Sequence, residues 1–141
     1  GIPERHEQKA VAKSKKYPSR NIQTYRDQCF ETTELVRQEL DLPEEKVFVS
    51  FQSRLGKDPW IKPYTDFVLR DFPTEGVNNL VVVAPAFVSD CLETLEEIAM
   101  GGKEIFEENG GEKYTYVDCL NDSDAWVDVL VKWINGWKNP S

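Results

Sequence analysis

An apolar run, Leu80-Val81-Val82-Val83-Ala84-Pro85-Ala86-Phe87, feeds directly into Val88-Ser89-Asp90-Cys91-Leu92-Glu93-Thr94-Leu95-Glu96-Glu97. Both alternating sets of positions in the run are apolar, which predicts a strand buried on both faces of a parallel sheet. The segment behind it predicts a helix that starts at the strand's carboxyl end. A strand that needs cover on both faces, followed at once by a helix, restricts the chain to a layered α/β architecture. Ligands of open α/β sheets bind at that carboxyl edge.

Glu93 and Glu97 stand four residues apart, so they share one helical face near the edge. Two carboxylates there can hold a hard cation or take up protons. A purely structural role fits the same spacing. Asp90-x-x-Glu93 is a loose capping box with Asp in place of Ser or Thr, and acidic side chains favour a first helical turn by about 0.3–1 kcal/mol. Spacing alone leaves both readings open.

The chain has 141 residues, which suits one domain or a piece of a larger protein. Its amino end, Gly1-Ile2-Pro3-Glu4-Arg5-His6, carries neither an initiator Met nor the apolar core of a signal peptide, so a processed chain or a fragment is expected. No stretch approaches the ~20 apolar residues of a membrane-spanning helix. A net charge of −8 argues against nucleic acid as a partner. The one basic stretch, Lys9, Lys13, Lys15, Lys16 and Arg20, reads as a solvated arm. Cys29, Cys91 and Cys119 are far apart and odd in number, without CxxC spacing. They predict a reducing, cytoplasmic compartment and no zinc or cluster site within the chain.

Residues 1–20 read as a polar arm with at most a short helix, and residues 21–141 as one α/β domain. A helix over 22–40 is predicted from Ile22, Cys29, Thr33, Val36 and Leu40, with Asn21 as its cap and Pro43 as its stop. A strand over 46–52 follows, then a loop shaped by Gly56, Pro59 and Pro63. The next helix, with Pro63 in its first turn, buries Phe67, Val68 and Phe72 and stops before Pro73. The helix after the strand at 80–85 runs from about Ser89 to Glu108, interrupted at Gly101-Gly102 and ended by Gly110-Gly111. Lys113–Val117 is the last strand. A final helix, capped by Asn121 or Asp122, packs Trp126, Leu130, Trp133, Ile134 and Trp137 along one face. This order predicts a parallel sheet of three to four strands flanked by helices, with three strands in the chain and a fourth before Gly1.

Several chemistries lack their parts. There is no GxGxxG, GxxxxGK[ST] or GxSxG, and the single histidine, His6, lies in the polar arm. What remains is carboxylate chemistry at a sheet edge. Gln52-Ser53-Arg54 and Trp60 follow one predicted strand and Glu93 follows another, so in a parallel sheet their loops converge on one edge. An aromatic surface, hydrogen-bonding groups and acids suit a flat, largely apolar ligand. Trp60 covering the sheet edge is the structural alternative.

The wording of four segments resembles the carboxyl-terminal half of ferrochelatase, the lyase that inserts Fe2+ into protoporphyrin IX. They are Gly1-Ile2-Pro3-Glu4-Arg5-His6, Tyr25-Arg26-Asp27-Gln28-Cys29-Phe30-Glu31-Thr32-Thr33, the specific stretch from Phe51 to Asp66, and Phe87 to Glu97. The resemblance implies two similar α/β domains with the porphyrin in the cleft, this chain being most of the second. It implies that Glu93 abstracts pyrrole protons or handles metal, that Glu97 follows it on a metal path, and that Pro3, Gln52, Ser53 and Trp60 line the porphyrin pocket. Porphyrin and divalent iron are then substrates. No resident cofactor and no iron–sulfur cluster are expected. The partner is an amino-terminal domain or a second chain, and peripheral membrane association of the parent enzyme is compatible with the family.

The departures are specific. The family's active-site histidine would fall just before Gly1, and His6 does not replace it. Cys91 stands where some members carry histidine, and Gly101 where some continue the acidic row. Three functions compete: a segment of a working ferrochelatase, a half-domain that binds porphyrin or metal without turnover, and a structural half that dimerises.

Overall fold

Residues Glu4–Lys16, expected as an arm with at most a short helix, form a 13-residue helix, α1. Its charges explain it. Glu4 and Glu7 lie in the first turn and Lys13, Lys15 and Lys16 in the last, so both ends complement the helix dipole. The structure is a computed structural model that describes residues 1–52 and 54–138. The chain divides into two compact units, Gly1–Asp71 and Phe72–Ser141.

In the first unit, helix α2 spans Tyr25–Glu39. Its cap is Thr24 rather than Asn21. The Thr24 hydroxyl accepts from the Asp27 N–H, and the Asp27 carboxylate accepts from the Thr24 N–H, a complete capping box. Asn21 instead ends a 3-10 turn with φ +43°, a left-handed conformation that Asn tolerates. Helix α3 spans Thr65–Asp71 and continues as a 3-10 turn at Phe72–Glu75, where the second unit begins. Pro63 lies before α3, not in its first turn.

The strand expected over 46–52 is not one. Glu44–Lys46 forms a 3-10 turn, Val47 is extended, and the only pairing among the described residues here is a parallel bridge of Phe51 with Tyr64. Phe51 donates to the Pro63 carbonyl at 2.8 Å and accepts from Thr65 at 3.3 Å. A strand is made by a ladder of such bonds. β-branched and aromatic residues supply a surface that fits a sheet, not the neighbouring strand. Phe51 is still buried, with Ile61 and Leu69, in the core of this unit.

In the second unit, β1 (Asn79–Val83) pairs in parallel with β2 (Lys113–Val117), in register Leu80↔Tyr114 and Val82↔Tyr116. The α/β layering is as expected, but the sheet has two strands among the described residues rather than three or four. One face of β1, Leu80 and Val82, is half-buried. The other is not covered, with Val81 and Val83 66% and 57% exposed, so burial on both faces does not hold.

The connection from β1 to β2 carries the unit's most unusual backbone. Residues Glu93–Gly101 form a π-helix, and Gly102–Glu108 continue it as α4. The N–H of Gly102 donates to the carbonyl of Glu97, five residues back. Thr94, Ile98, Gly102 and Phe106 are the buried positions, a strict four-residue spacing. An α-helix of 3.6 residues per turn would rotate such a row away from the sheet. From Thr94 to Gly102 the wider π turn keeps it aligned. Gly110, at φ +103°, and Gly111 end α4 as expected.

Helix α5 spans Asp124–Lys138. The Ser123 carbonyl accepts from Trp126 and Val127, so the helix begins after Ser123 rather than at Asn121 or Asp122. Trp126 and Trp133 meet edge to face at 5.8 Å. The face expected to pack is nevertheless open: Trp133 is 51% and Trp137 79% exposed. Among the described residues no helix is long and apolar enough to cross a membrane.

Candidate functional site

Glu93 and Glu97 begin and centre the π-helical segment. Both are solvent-exposed, on the row next to buried Thr94 and Ile98. Since each π turn holds more than 3.6 residues, positions four apart stay over one another. The Glu93 carboxyl is held below its ordinary range, first by a hydrogen bond from the Cys91 thiol and then by its own backbone N–H. It is therefore an ionised carboxylate facing solvent.

Asp90 does not cap the helix with Glu93. The segment has no side-chain cap, because the Asp90 carboxylate is occupied elsewhere. It accepts from Thr94 Oγ1 at 2.9 Å, Tyr116 Oη at 2.9 Å, Asn121 Nδ2 at 2.7 Å and the Cys119 N–H at 3.1 Å. These bonds, led by that of Asn121, hold its carboxyl well below the usual range. A carboxylate with four donors has little capacity left for a proton or a cation. Burial pushes the Tyr114 phenol up to about 12, and the Tyr116 phenol is raised by desolvation and by Cys119. Both stay protonated donors. Sequence reasoning missed this network. The alternating Tyr114-Thr115-Tyr116 was its visible sign, since residues two apart on a strand face one side.

Three of the pocket positions expected in the first unit come together there. Pro3 and Trp60 form an antiparallel bridge, supported by Ile61 N–H to the Ile2 carbonyl at 3.0 Å and Glu4 N–H to the Pro59 carbonyl at 2.8 Å. The Gln52 carbonyl accepts from the Gly1 nitrogen at 2.7 Å. Trp60 donates its indole N–H to Leu55 at 3.2 Å and accepts at its carbonyl from Tyr64. Arg54 pairs with Asp66 and lies over the rings of Tyr64 and Phe67 at 4.4 and 4.9 Å. Ser53 lies outside the described residues. No group of three or more His, Cys, Asp or Glu able to hold a metal occurs among the described residues. Glu93 and Glu97 belong to no such group.

Both sets of residues lie within the stretch that known proteins match. Residues 1–136 match the family model described as Ferrochelatase. The chain is 44% identical to the ferrochelatase of Vibrio cholerae over 130 residues, 92% of this chain and 37% of that protein. It is 42% identical to the ferrochelatase of Legionella pneumophila strain Lens over 141 aligned residues, 96% of this chain and 43% of that protein. Against the ferrochelatase of Pseudomonas putida KT2440 it is 45% identical, over 92% of this chain and 42% of that protein. The chain therefore spans about two fifths of the length of the curated relatives it matches. On the strength of a family match over nearly its whole length, the chain belongs to the ferrochelatase family.

Proposed function

We propose that this chain supplies the carboxyl-terminal part of a cytoplasmic enzyme that inserts Fe2+ into protoporphyrin IX to make protoheme. Insertion requires removal of two pyrrole protons and delivery of a partly dehydrated cation, and a carboxylate serves both needs. Glu93 takes the protons. Glu97, next on the same row, passes the metal. Pro3, Gln52, Ser53 and Trp60 contact the macrocycle. The observation that carries this reading is the placement of Glu93 and Glu97, ionisable and exposed, on successive π turns. Once an apolar macrocycle displaces water from Glu93, its carboxyl rises from its depressed value toward one suited to proton uptake. The enzyme needs no resident cofactor and no iron–sulfur cluster, and the amino-terminal part of the relatives' length supplies its remaining residues.

The test is metallation of protoporphyrin IX by Fe2+ or Zn2+, followed at the Soret band, with this chain and with the longer protein that carries it. Product from the longer protein is the expected result. Product from this chain alone shows that Glu93 and its neighbours suffice. A Soret shift without product makes the chain a binding half-domain, and no shift from either protein refutes the proposal.

A further inference from the structure

Strand β2 runs beneath the π-helical segment; the hydroxyl of one of its side chains bonds to the segment, and that of a second bonds to the carboxylate that binds the segment's first turn. Tyr114, buried, donates to the Ile98 carbonyl at 2.8 Å. Tyr116, two residues on and on the same face, donates to Asp90 Oδ1, which also receives the hydroxyl of Thr94, the second residue of the segment. The two tyrosines stand about 6.6 Å apart along the strand. Thr94 and Ile98 are one turn apart on the buried row. The strand thus holds the segment directly at its centre and, through Asp90, at its start.

A π-helix is rare and is usually confined to short stretches at functional sites. This one spans nine residues and needs support beyond its own ladder. At its end the segment is close-packed on itself: a Cβ at Gly101 would stand 3.2 Å from the Glu96 carbonyl oxygen, so a larger side chain there would crowd the π-helical backbone. Rewinding to α-helix would rotate Glu97 relative to Glu93 and would pull Ile98 off the Tyr114 hydroxyl.

We propose that Tyr114 and Tyr116 are positioning residues whose hydroxyls hold residues 93–101 in π-helical form and thereby fix Glu93 and Glu97 relative to each other. Neither tyrosine touches a reacting atom. The effect on reaction rests on the proposed metallation role of the two glutamates, whereas the effect on the backbone does not.

The experiment has two arms, using Tyr114→Phe, Tyr116→Phe and the double variant, which keep the ring packing and remove only the hydroxyls. Amide hydrogen exchange on this chain is expected to accelerate at least tenfold across 94–103, with the exchange of α2 unchanged. In the longer protein, KM for Zn2+ is expected to rise about fivefold or more while KM for protoporphyrin IX stays put, a split that loss of folded protein alone would not give. Unchanged exchange in the double variant overturns the proposal, as does faster exchange with unchanged metal kinetics. A wild-type longer protein that inserts no metal refutes the metallation reading instead, and the exchange arm then decides the hydroxyl clamp by itself.

Discussion

Asp90 and Asn121 hold each other from both directions. The Asn121 side-chain amide donates to the Asp90 carboxylate at 2.7 Å, and the Asp90 backbone N–H donates to the Asn121 side-chain oxygen at 2.9 Å. A third bond, from the Asn121 N–H to the Val88 carbonyl at 3.0 Å, makes the pairing of the two loops continuous. Asn121 can serve three contacts because it sits at φ +49°, a conformation that few residues other than Asn, Asp and Gly accept readily. The loop leaving β2 and the loop entering the π segment therefore behave as one piece.

That pairing predicts an acid limb in the stability profile. The folded-state pKa of Asp90 is depressed, chiefly by Asn121. Its contribution is thus fully present above the ordinary aspartate value of about 4 and is lost as the pH falls from there through the folded value. Asp90→Asn should lower stability at pH 7 and flatten the decline below about pH 4, because the variant has no proton to take up there. Urea midpoints measured across the pH range check this. Parallel profiles for the two proteins would show that Asp90 does not set the acid limb.

Glu93→Gln keeps the shape of the side chain and removes its basicity. In the longer protein, metallation should fall by roughly 10²–10⁴-fold, the usual contribution of a positioned acid or base. Porphyrin affinity should be nearly unchanged, because the substitution keeps the side chain's size and a hydrogen-bonding oxygen. Glu97→Gln should act mainly on KM for the metal. Full turnover in Glu93→Gln would reassign proton abstraction to another group.

Phe106 and Gly111 give a prediction about folding alone. Phe106 is fully buried, and a Cβ at Gly111 would fall within the van der Waals surface of its ring. Gly111→Ala should therefore destabilise by about 1–3 kcal/mol, the range for overpacking a filled core. Phe106→Ala should cost about 3–5 kcal/mol. Combining them should cost less than the sum, because removing the ring removes the clash. Chemical denaturation of the four proteins measures all three quantities.

The second unit was the more legible of the two in the sequence. The run at 80–83 and the Lys113–Val117 strand are local patterns whose partners lie in the same unit, and the Gly101-Gly102 interruption falls where the π-helix gives way to α4. The π-helix itself was not legible, since Val88, Cys91, Leu92, Leu95, Ile98, Ala99, Ile105 and Phe106 read as the stripe of an ordinary amphipathic helix, whereas the buried row includes Thr94 and Gly102 and leaves Leu92 and Leu95 exposed. The stretch 46–52 has the composition of a strand, but pairing is a property of neighbours, and only Phe51 finds one. Periodicity likewise marked the apolar stripe of α5 without saying whether anything covers Trp133 or Trp137. At the site, the types and spacing of Glu93 and Glu97 were visible. The donors that saturate Asp90 come from residues up to 31 positions away and were not.

The capping box of α2 offers a last prediction, one that depends on no functional reading. Thr24 is buried, and its hydroxyl and the Asp27 carboxylate satisfy each other's backbone N–H at 3.1 and 3.0 Å. Thr24→Ala leaves the Asp27 N–H without its partner and should cost about 1 kcal/mol, the typical loss for a helix cap. Asp27→Ala breaks the reciprocal bond and removes an acidic side chain from the first turn, a smaller effect of about 0.3–1 kcal/mol. Thr24→Ser should restore most of the lost stability, because Ser caps as well as Thr. The measurement is the urea midpoint at constant m-value, which separates a change in stability from a change in the unfolded chain. If Asn21 were the cap, Asn21→Ala would give the larger loss and Thr24→Ala almost none. The two substitutions therefore decide where α2 begins.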